Sequence, residues 1–420
     1  MWVNMEVQFV LLLQALKAAL KKEEVQWESR IAKEDWEKLF ELAMMHNVLP
    51  MVYDAVYACK AFAKIDTELQ RKYKRPVFQF VMIQVRKTEE FLGLYRFLQK
   101  KGLSPILVKG LICRELYPQS DYRMSGDEDL LIRDEEFQQY HEALTEFGME
   151  VTTPEQEASQ VFEVTYVKKG SALHIELHKE LFAPEGEAYS ELNQYFENVH
   201  DEAILQEIQG VKIRTLNYTD HLFYLIAHSF KHFLHSGFGI RQVCDIVMFA
   251  NTYGHRVNWE ELLKRCEEIH AKYFAAALFK IGRRYLVFSH KESRYPQSWK
   301  EIQVDEEALL NDLLVAGIYG GADMSRKHSS NITLNAVIAH KQGKGTNGSI
   351  LKTIFPPAKN LEASYHYLKK YPVLLPAAWI QRLVRYQKET RMDRHNNALE
   401  SIAIGNSRIE LLKQYHIIDS

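Results

Sequence analysis

The chain has 420 residues, 46% hydrophobic and 26% charged, a globular composition with apolar mass for a sizeable core and length for two or three structural units. Its formal net charge of −2 supplies no long-range pull toward long nucleic acid or anionic membranes, which leaves small, near-neutral partners as the better fit. Cys59, Cys113, Cys244 and Cys266 lie far apart without a CxxC pair, which argues against a disulfide framework or zinc ribbon and for a reducing cytoplasm.

Near the start, Phe9-Val10-Leu11-Leu12-Leu13 follows Glu6 and is closed by Gln14 and Lys17, with no small-residue cleavage site after it. This predicts an amphipathic helix, not a signal peptide. No stretch approaches the roughly 20 apolar residues of a bilayer span. Trp36, Leu39, Phe40, Leu42 and Ala43 recur at helical spacing, and the pattern stops at Asn47 and Pro50. A second helical run, from about Arg75 to Lys101, carries Phe78, Val81, Met82, Val85, Phe91, Leu94, Tyr95 and Leu98. It closes on Lys100-Lys101-Gly102, with cations in the last turn and glycine just beyond.

The pattern changes after Gly102. Pro105-Ile106-Leu107-Val108 suits a buried strand, Lys109-Gly110 a turn, and Leu111 to Tyr117 a short helix that Pro118 ends. Asp129-Leu130-Leu131-Ile132 predicts a second strand, and Asp134-Glu135-Glu136 opens another helix. Val161–Val167 and Ala172–Leu177 are strand candidates joined by Lys168-Lys169-Gly170. From Tyr218 helices return. The polar, glycine-rich stretch from His340 to Ser349 reads as a linker, because Gly343-Lys344-Gly345-Thr346 lacks phosphate-loop spacing and no apolar strand leads into it. The expected organisation is α+β: an N-terminal helical region (1–102), a small mixed-sheet core (103–216) and a C-terminal helical region (217–420).

The central chemical signal is Arg123-Met124-Ser125-Gly126-Asp127-Glu128-Asp129-Leu130-Leu131-Ile132. On a strand, alternation puts Asp127 and Asp129 on one face and Glu128 on the other. Two carboxylates so placed share a hard cation such as Mg²⁺ and leave coordination positions for phosphates. An isolated DxD is more often a solvated turn. Here it follows Lys109-Gly110, where glycine admits close backbone approach and a helix N-terminus favours phosphate. In Leu173-His174-Ile175-Glu176-Leu177-His178, the same alternation puts His174, Glu176 and His178 on one face, which offers a third carboxylate. A half-exposed strand with its polar side in water, or a separate zinc site on the two histidines, are the competing readings.

Leu107-Val108-Lys109-Gly110, Leu116-Tyr117-Pro118, Arg123 and Asp127-x-Asp129-Leu-Leu-Ile together resemble the uncharacterised nucleotidyltransferase family of the DNA polymerase β-like superfamily. Ile175-Glu176-Leu177-His178 resembles its third-carboxylate strand with Glu in place of Asp, and Lys109-Gly110 stands where the wider superfamily has Gly-Ser. Trp36 to Pro50, His228-Ser-Phe-Lys-His232 with Arg241 and Asp245, Phe355-Pro356-Pro357 and Trp379-Ile380-Gln381-Arg382 extend the resemblance over most of the chain. It implies a nucleotidyltransferase holding Mg²⁺ or Mn²⁺ on Asp127, Asp129 and Glu176, with those carboxylates catalytic. Lys109, Gly110, Arg123 and Ser125 would bind the nucleoside triphosphate, and His178, His228, His232 and Arg241 would make further substrate contacts. The acceptor would be a small molecule, sugar, peptide or protein, with no long nucleic acid and no membrane as partner. Two alternatives stand beside it: a catalytically silent nucleotide-binding or regulatory protein on the same fold, and a hydrolase centred on His228, His232 and Asp245. On its own terms, the helix around His228 shows Tyr224, His228, Lys231, His232 and His235 on one face and Phe223, Ile226, Phe230, Phe233 and Leu234 on the other, so a polar face packed over the core is the plain reading.

Overall fold

The structure is a computed structural model that describes residues 5–28, 30–152, 158–317, 324–343, 361, 365, 367–368, 370–381 and 398–419. Of the linker expected from His340 to Ser349, His340 and Lys341 still belong to a helix, while 344–349, like Phe355-Pro356-Pro357 and Arg382, lie outside the described residues. The chain divides into two compact units, one of Met1–His228 with Gly239–Glu306, the other of Ser229–Phe238 with Glu307–Ser420.

Helices α1 (Val7–Lys21), α2 (Lys33–Met45), α3 (Leu49–Tyr57) and α4 (Thr67–Lys100) precede the sheet. The first is the amphipathic helix read at Phe9–Leu13. The apolar spacing around Trp36 and Phe40 serves an aromatic core, in which Trp36, Phe40, Tyr53 and Phe62 pack ring against ring. Asn47 turns the chain at φ 53°, and Pro50 falls in the first turn of α3, where its missing N–H goes unnoticed.

Helix α4 begins two turns before the expected Arg75. Asp66 caps it, accepting from the Leu69 N–H at 2.7 Å, and Pro76 is carried inside the helix. Its middle also inverts the expected face: Phe78 is 67% exposed and Met82 and Ile83 are exposed, while Gln84, Lys87 and Thr88 point inward. The polar residues are buried because they have polar work beneath β2, described below. The helix ends as its sequence implies, with Gly102 at φ 80° and the Leu103 N–H returning to the Leu98 carbonyl at 3.0 Å.

The sheet comprises β1 (Ile106–Val108), β2 (Glu128–Leu131), β3 (Glu150–Val151), β4 (Glu163–Val167), β5 (His174–His178), β6 (Ile204–Ile208) and β7 (Val211–Thr215), with α5 (Gly110–Arg114) and α6 (Phe137–Glu146) between strands. The spatial order is β3-β4-β5-β2-β1-β7-β6. β2–β5 and β1–β7 are parallel and the other pairs antiparallel, so the sheet is mixed and flanked by helical regions. Leu107, Leu130, Ile132, Val164, Tyr166, Ile175, Leu177 and Ile213 share one hydrophobic core. The alternate positions Asp129, Glu176 and His178 therefore turn to the other face. In register, Val108 pairs with Asp129 and Asp129 with Glu176, which lines up these positions across three adjacent strands.

After the sheet come α7 (Tyr218–Leu234), α8 (Ile240–Tyr253), α9 (Trp259–Glu268) and α10 (Lys272–Tyr285). On the expected polar face of α7, Tyr224 is buried like Phe223 and Ile226, and His228, Lys231, His232 and His235 are half-buried. In the second unit, α11 (Glu306–Ala316), α12 (Met324–Lys341) and α13 (Ala398–Gln414) are described. A Cβ added at Gly405 would meet Ile332 Cδ1 at 2.7 Å, so glycine allows α13 its approach to α12. Among the described residues, no helix is long and apolar enough to cross a membrane.

Candidate active site

The turn after β1 is built around one buried carboxylate. Lys109 adopts φ 45°, ψ −113° and Gly110 φ 35°, and a positive φ of this kind costs a side-chain-bearing residue about 1–3 kcal/mol. Gly110 has no substitute there, because a Cβ would meet Glu128 Oε2 at 2.1 Å. That oxygen accepts from the Leu111 N–H at 2.9 Å. Glu128 Oε1 is 2.7 Å from Arg114 Nη1 and 3.3 Å from Lys87 Nζ, with all three side chains buried. Burial favours the neutral Glu128 carboxyl, but Arg114 and Lys87 outweigh it and hold the group below its ordinary range. Lys87 also donates to the Ser125 carbonyl at 3.3 Å, and Gln84 accepts from the Ser125 N–H at 3.0 Å. Ser125, expected on the nucleotide, is thus drawn into this internal network, as its contact with Arg114 also shows.

The strained Lys109 is held from behind. Its backbone N–H donates to His221 Nε2 at 3.2 Å, which leaves the proton on Nδ1, facing Thr215 Oγ1 at 3.3 Å. Thr215 donates onward to the Leu107 carbonyl at 2.7 Å. Burial pushes the His221 imidazole down to about 3, and the attraction of Asp245 does not compensate. The folded chain therefore binds fewer protons at His221 than the unfolded chain once pH falls below the ordinary histidine value. Stability is lost progressively as pH falls from about 6.5, by up to about 1.4 kcal/mol per pH unit. Glutamine at 221 places an acceptor near the Nε2 position and does not titrate. His221→Gln is expected to reduce the slope of urea-unfolding free energy between pH 6 and 4 by about one proton's worth. Identical slopes would show that His221 is not the buried neutral group.

On the opposite face of β2, Asp129 is 2% exposed. Its Oδ1 lies 3.1 Å from Lys109 Nζ and 3.2 Å from His178 Nε2, while Oδ2 has no hydrogen-bond partner among the described residues. Burial would raise the Asp129 carboxyl, but Lys109 and His178 hold it well below the usual range. His178 Nε2 is also 3.6 Å from Glu176 Oε2. Burial lowers the His178 imidazole, and the surrounding carboxylates reverse this and lift it to about 9. The His178 hydrogen bond pulls Glu176 down, yet burial and the charges of Asp127, Asp129 and Glu163 together raise it. Asp127 is half-buried one residue before β2, close enough that Glu176 and Tyr224 feel its charge.

Carboxylates thus crowd one face of adjacent strands. One donor atom each from Asp129, Glu176 and His178 falls within 4.8 Å of the others. Asp129 Oδ2, without a hydrogen-bond partner among the described residues, and the mutual repulsion of the carboxylates fit a divalent cation, which takes oxygen ligands at short range. His174 is exposed, outside this group. His228 Nε2 is 3.3 Å from Lys109 Nζ, and its ring lies 5.6 Å from that of Tyr224, so α7 supplies the wall behind the lysine.

The other expected contacts go elsewhere. Arg123, anticipated opposite the triphosphate, is buried and grips Asp245 through Nε at 3.0 Å and Nη2 at 2.6 Å, with Tyr117 donating to the same carboxylate at 2.7 Å. Arg241 donates to the Met124 carbonyl. Together these side chains fasten the loop before β2 onto α8. Asp245 is consequently spent on Arg123 and Tyr117, which removes it from any metal set with His228. His232 belongs to the second unit. The residues that sequence reasoning misses are Gln84, Lys87, Arg114 and His221. Only the mid-helix polar residues on the inward face of α4 offer a signal.

Residues 32–286 match the family described as uncharacterised nucleotidyltransferase. No curated protein and no solved structure matches the chain.

Proposed function

Because the chain belongs to the uncharacterised nucleotidyltransferase family, we propose that it transfers a nucleoside monophosphate from a nucleoside triphosphate to an acceptor hydroxyl or similar group, on a site made by Asp127, Asp129, Glu176 and Lys109. The observation that carries this reading is the convergence of Asp129, Glu176 and His178 beside an ammonium at the end of β1. Asp127, Asp129 and Glu176 would hold Mg²⁺ or Mn²⁺. The chemistry such a cation would supply is polarisation of the α-phosphate and a lower pKa for the attacking hydroxyl.

The chain's own residues do the rest. Lys109, fixed by its backbone bond to His221, carries positive charge toward the triphosphate and the departing pyrophosphate. The acceptor oxygen bonds to the α-phosphorus as the bond to the β-phosphate oxygen breaks, and one of the carboxylates takes the acceptor's proton. Arg123 and Arg241 act at a distance, by fixing the loop that leads into Asp127. Near-neutral charge favours a small molecule, sugar, peptide or protein as acceptor.

The test is thermal unfolding of the full chain with each of the four ribonucleoside triphosphates, with and without Mg²⁺ or Mn²⁺, paired with an assay for pyrophosphate. A ligand at a hundredfold its Kd adds about 2.7 kcal/mol to stability, so a metal-dependent upward shift is expected with at least one base. A shift without pyrophosphate under a wide acceptor screen would favour a nucleotide-binding protein without turnover. No shift with any triphosphate would sink the proposal.

A further inference from the structure

Resting on that reading of the site, we infer that His178 is itself a metal ligand beside Asp129 and Glu176, and that the site accordingly prefers Mn²⁺ to Mg²⁺. The three-carboxylate scheme reserves His178 for the substrate, yet its ring enters the carboxylate cluster. Nε2 lies 3.2 Å from Asp129 Oδ1 and 3.6 Å from Glu176 Oε2, separations that ligands of one small cation show. Strand geometry makes the placement rigid. Glu176 and His178 are two residues apart on β5 and so share a face, and Asp129 is the parallel register partner of Glu176.

The far side of the ring supplies a second, independent observation. Nδ1 is buried with no hydrogen-bond partner among the described residues, and Glu163 Oε2 stands 3.6 Å from it. Glu163 is the antiparallel register partner of His178 on β4. A metal-bound histidine commonly directs its other ring N–H at a carboxylate, which fixes the tautomer and raises the basicity of the ligating nitrogen. The Glu163–His178 pair is arranged for that role, with Nε2 toward the cation and Nδ1–H toward Glu163.

Metal choice follows from the donor set. Mg²⁺ takes oxygen ligands and water, whereas imidazole nitrogen suits transition ions, so one nitrogen among carboxylates moves the preference toward Mn²⁺. The same donors would accept Zn²⁺ or Fe²⁺; against Mg²⁺, Mn²⁺ gains because it takes an imidazole nitrogen as well as carboxylate oxygens.

The experiment is electron paramagnetic resonance of the full chain titrated with Mn²⁺ alone, followed by competition with Mg²⁺. Spin-echo modulation from a directly bound ¹⁴N is expected on wild-type protein. His178→Gln is expected to abolish the modulation and weaken Mn²⁺ by roughly 10–100-fold, narrowing the Mn²⁺/Mg²⁺ ratio. Asp129→Asn is expected to abolish tight binding altogether. Tight Mn²⁺ lost in Asp129→Asn but lacking ¹⁴N modulation in wild type would overturn the histidine assignment alone and leave the metal site standing. Absence of tight Mn²⁺ binding in wild type would overturn both. The spin-echo readout on unmodified protein holds even if His178→Gln folds poorly.

Discussion

Asp129→Asn is expected to reduce metal-dependent nucleotide transfer by roughly 10³-fold or more and to erase the metal-dependent thermal shift with triphosphate, while the chain stays folded. Asp129 stands between β1 and β5, with its Oδ1 on Lys109 and His178 and its Oδ2 without a partner among the described residues. Asparagine keeps the volume and one acceptor oxygen, so the strand and its immediate neighbours are retained. What goes is the negative charge that both a divalent cation and the Lys109 ammonium require. Pyrophosphate release and circular dichroism on the same preparation separate loss of chemistry from loss of structure. Transfer within about tenfold of wild type in a folded variant would remove Asp129 from the site.

Glu128→Ala carries the largest expected cost in stability, about 3–5 kcal/mol measured as a urea-unfolding free energy. The substitution strands the Lys87 and Arg114 cations, 2% and 1% exposed, and orphans the Leu111 N–H. Breaking a buried pair by removing one partner is far more damaging than replacing the whole set with apolar groups. Against the usual 5–15 kcal/mol of a folded protein, this is a large fraction. Glu128→Gln, which keeps the shape and the acceptor for Leu111, is expected to fall between wild type and the alanine variant. A loss under about 1 kcal/mol for Glu128→Ala would mean that the network is solvated and not structural.

The site is legible in the sequence where alternation governs it. Asp129, Glu176 and His178 share a face because Leu130, Ile132, Ile175 and Leu177 must share the other, and the period of two needs no knowledge of neighbours. The Lys109-Gly110 turn is legible as a turn, but its strain and the reason for its glycine are not, since both depend on Glu128, on the next strand. The face of α4 is hidden by the same cause. Phe78 and Met82 match a helical apolar stripe, yet the inward positions go to Gln84 and Lys87, whose partners lie on the loop and strand that follow. Arg123 looks available for phosphate because its partner, Asp245, is 122 residues away. The hairpin of β6 and β7 is missed although Val211, Ile213 and Thr215 alternate with Lys212 and Arg214. Its turn is Gln209-Gly210, both at positive φ, and glutamine is not the residue that usually announces such a turn.

Lys109 holds a backbone conformation that glycine would adopt without penalty. A directed-evolution campaign that selects heat-resistant variants in the absence of metal and nucleotide would therefore be drawn to Lys109→Gly, gaining resilience while quietly discarding the ammonium beside Asp129. Libraries of this protein need the ligands present during selection if position 109 is to keep its charge.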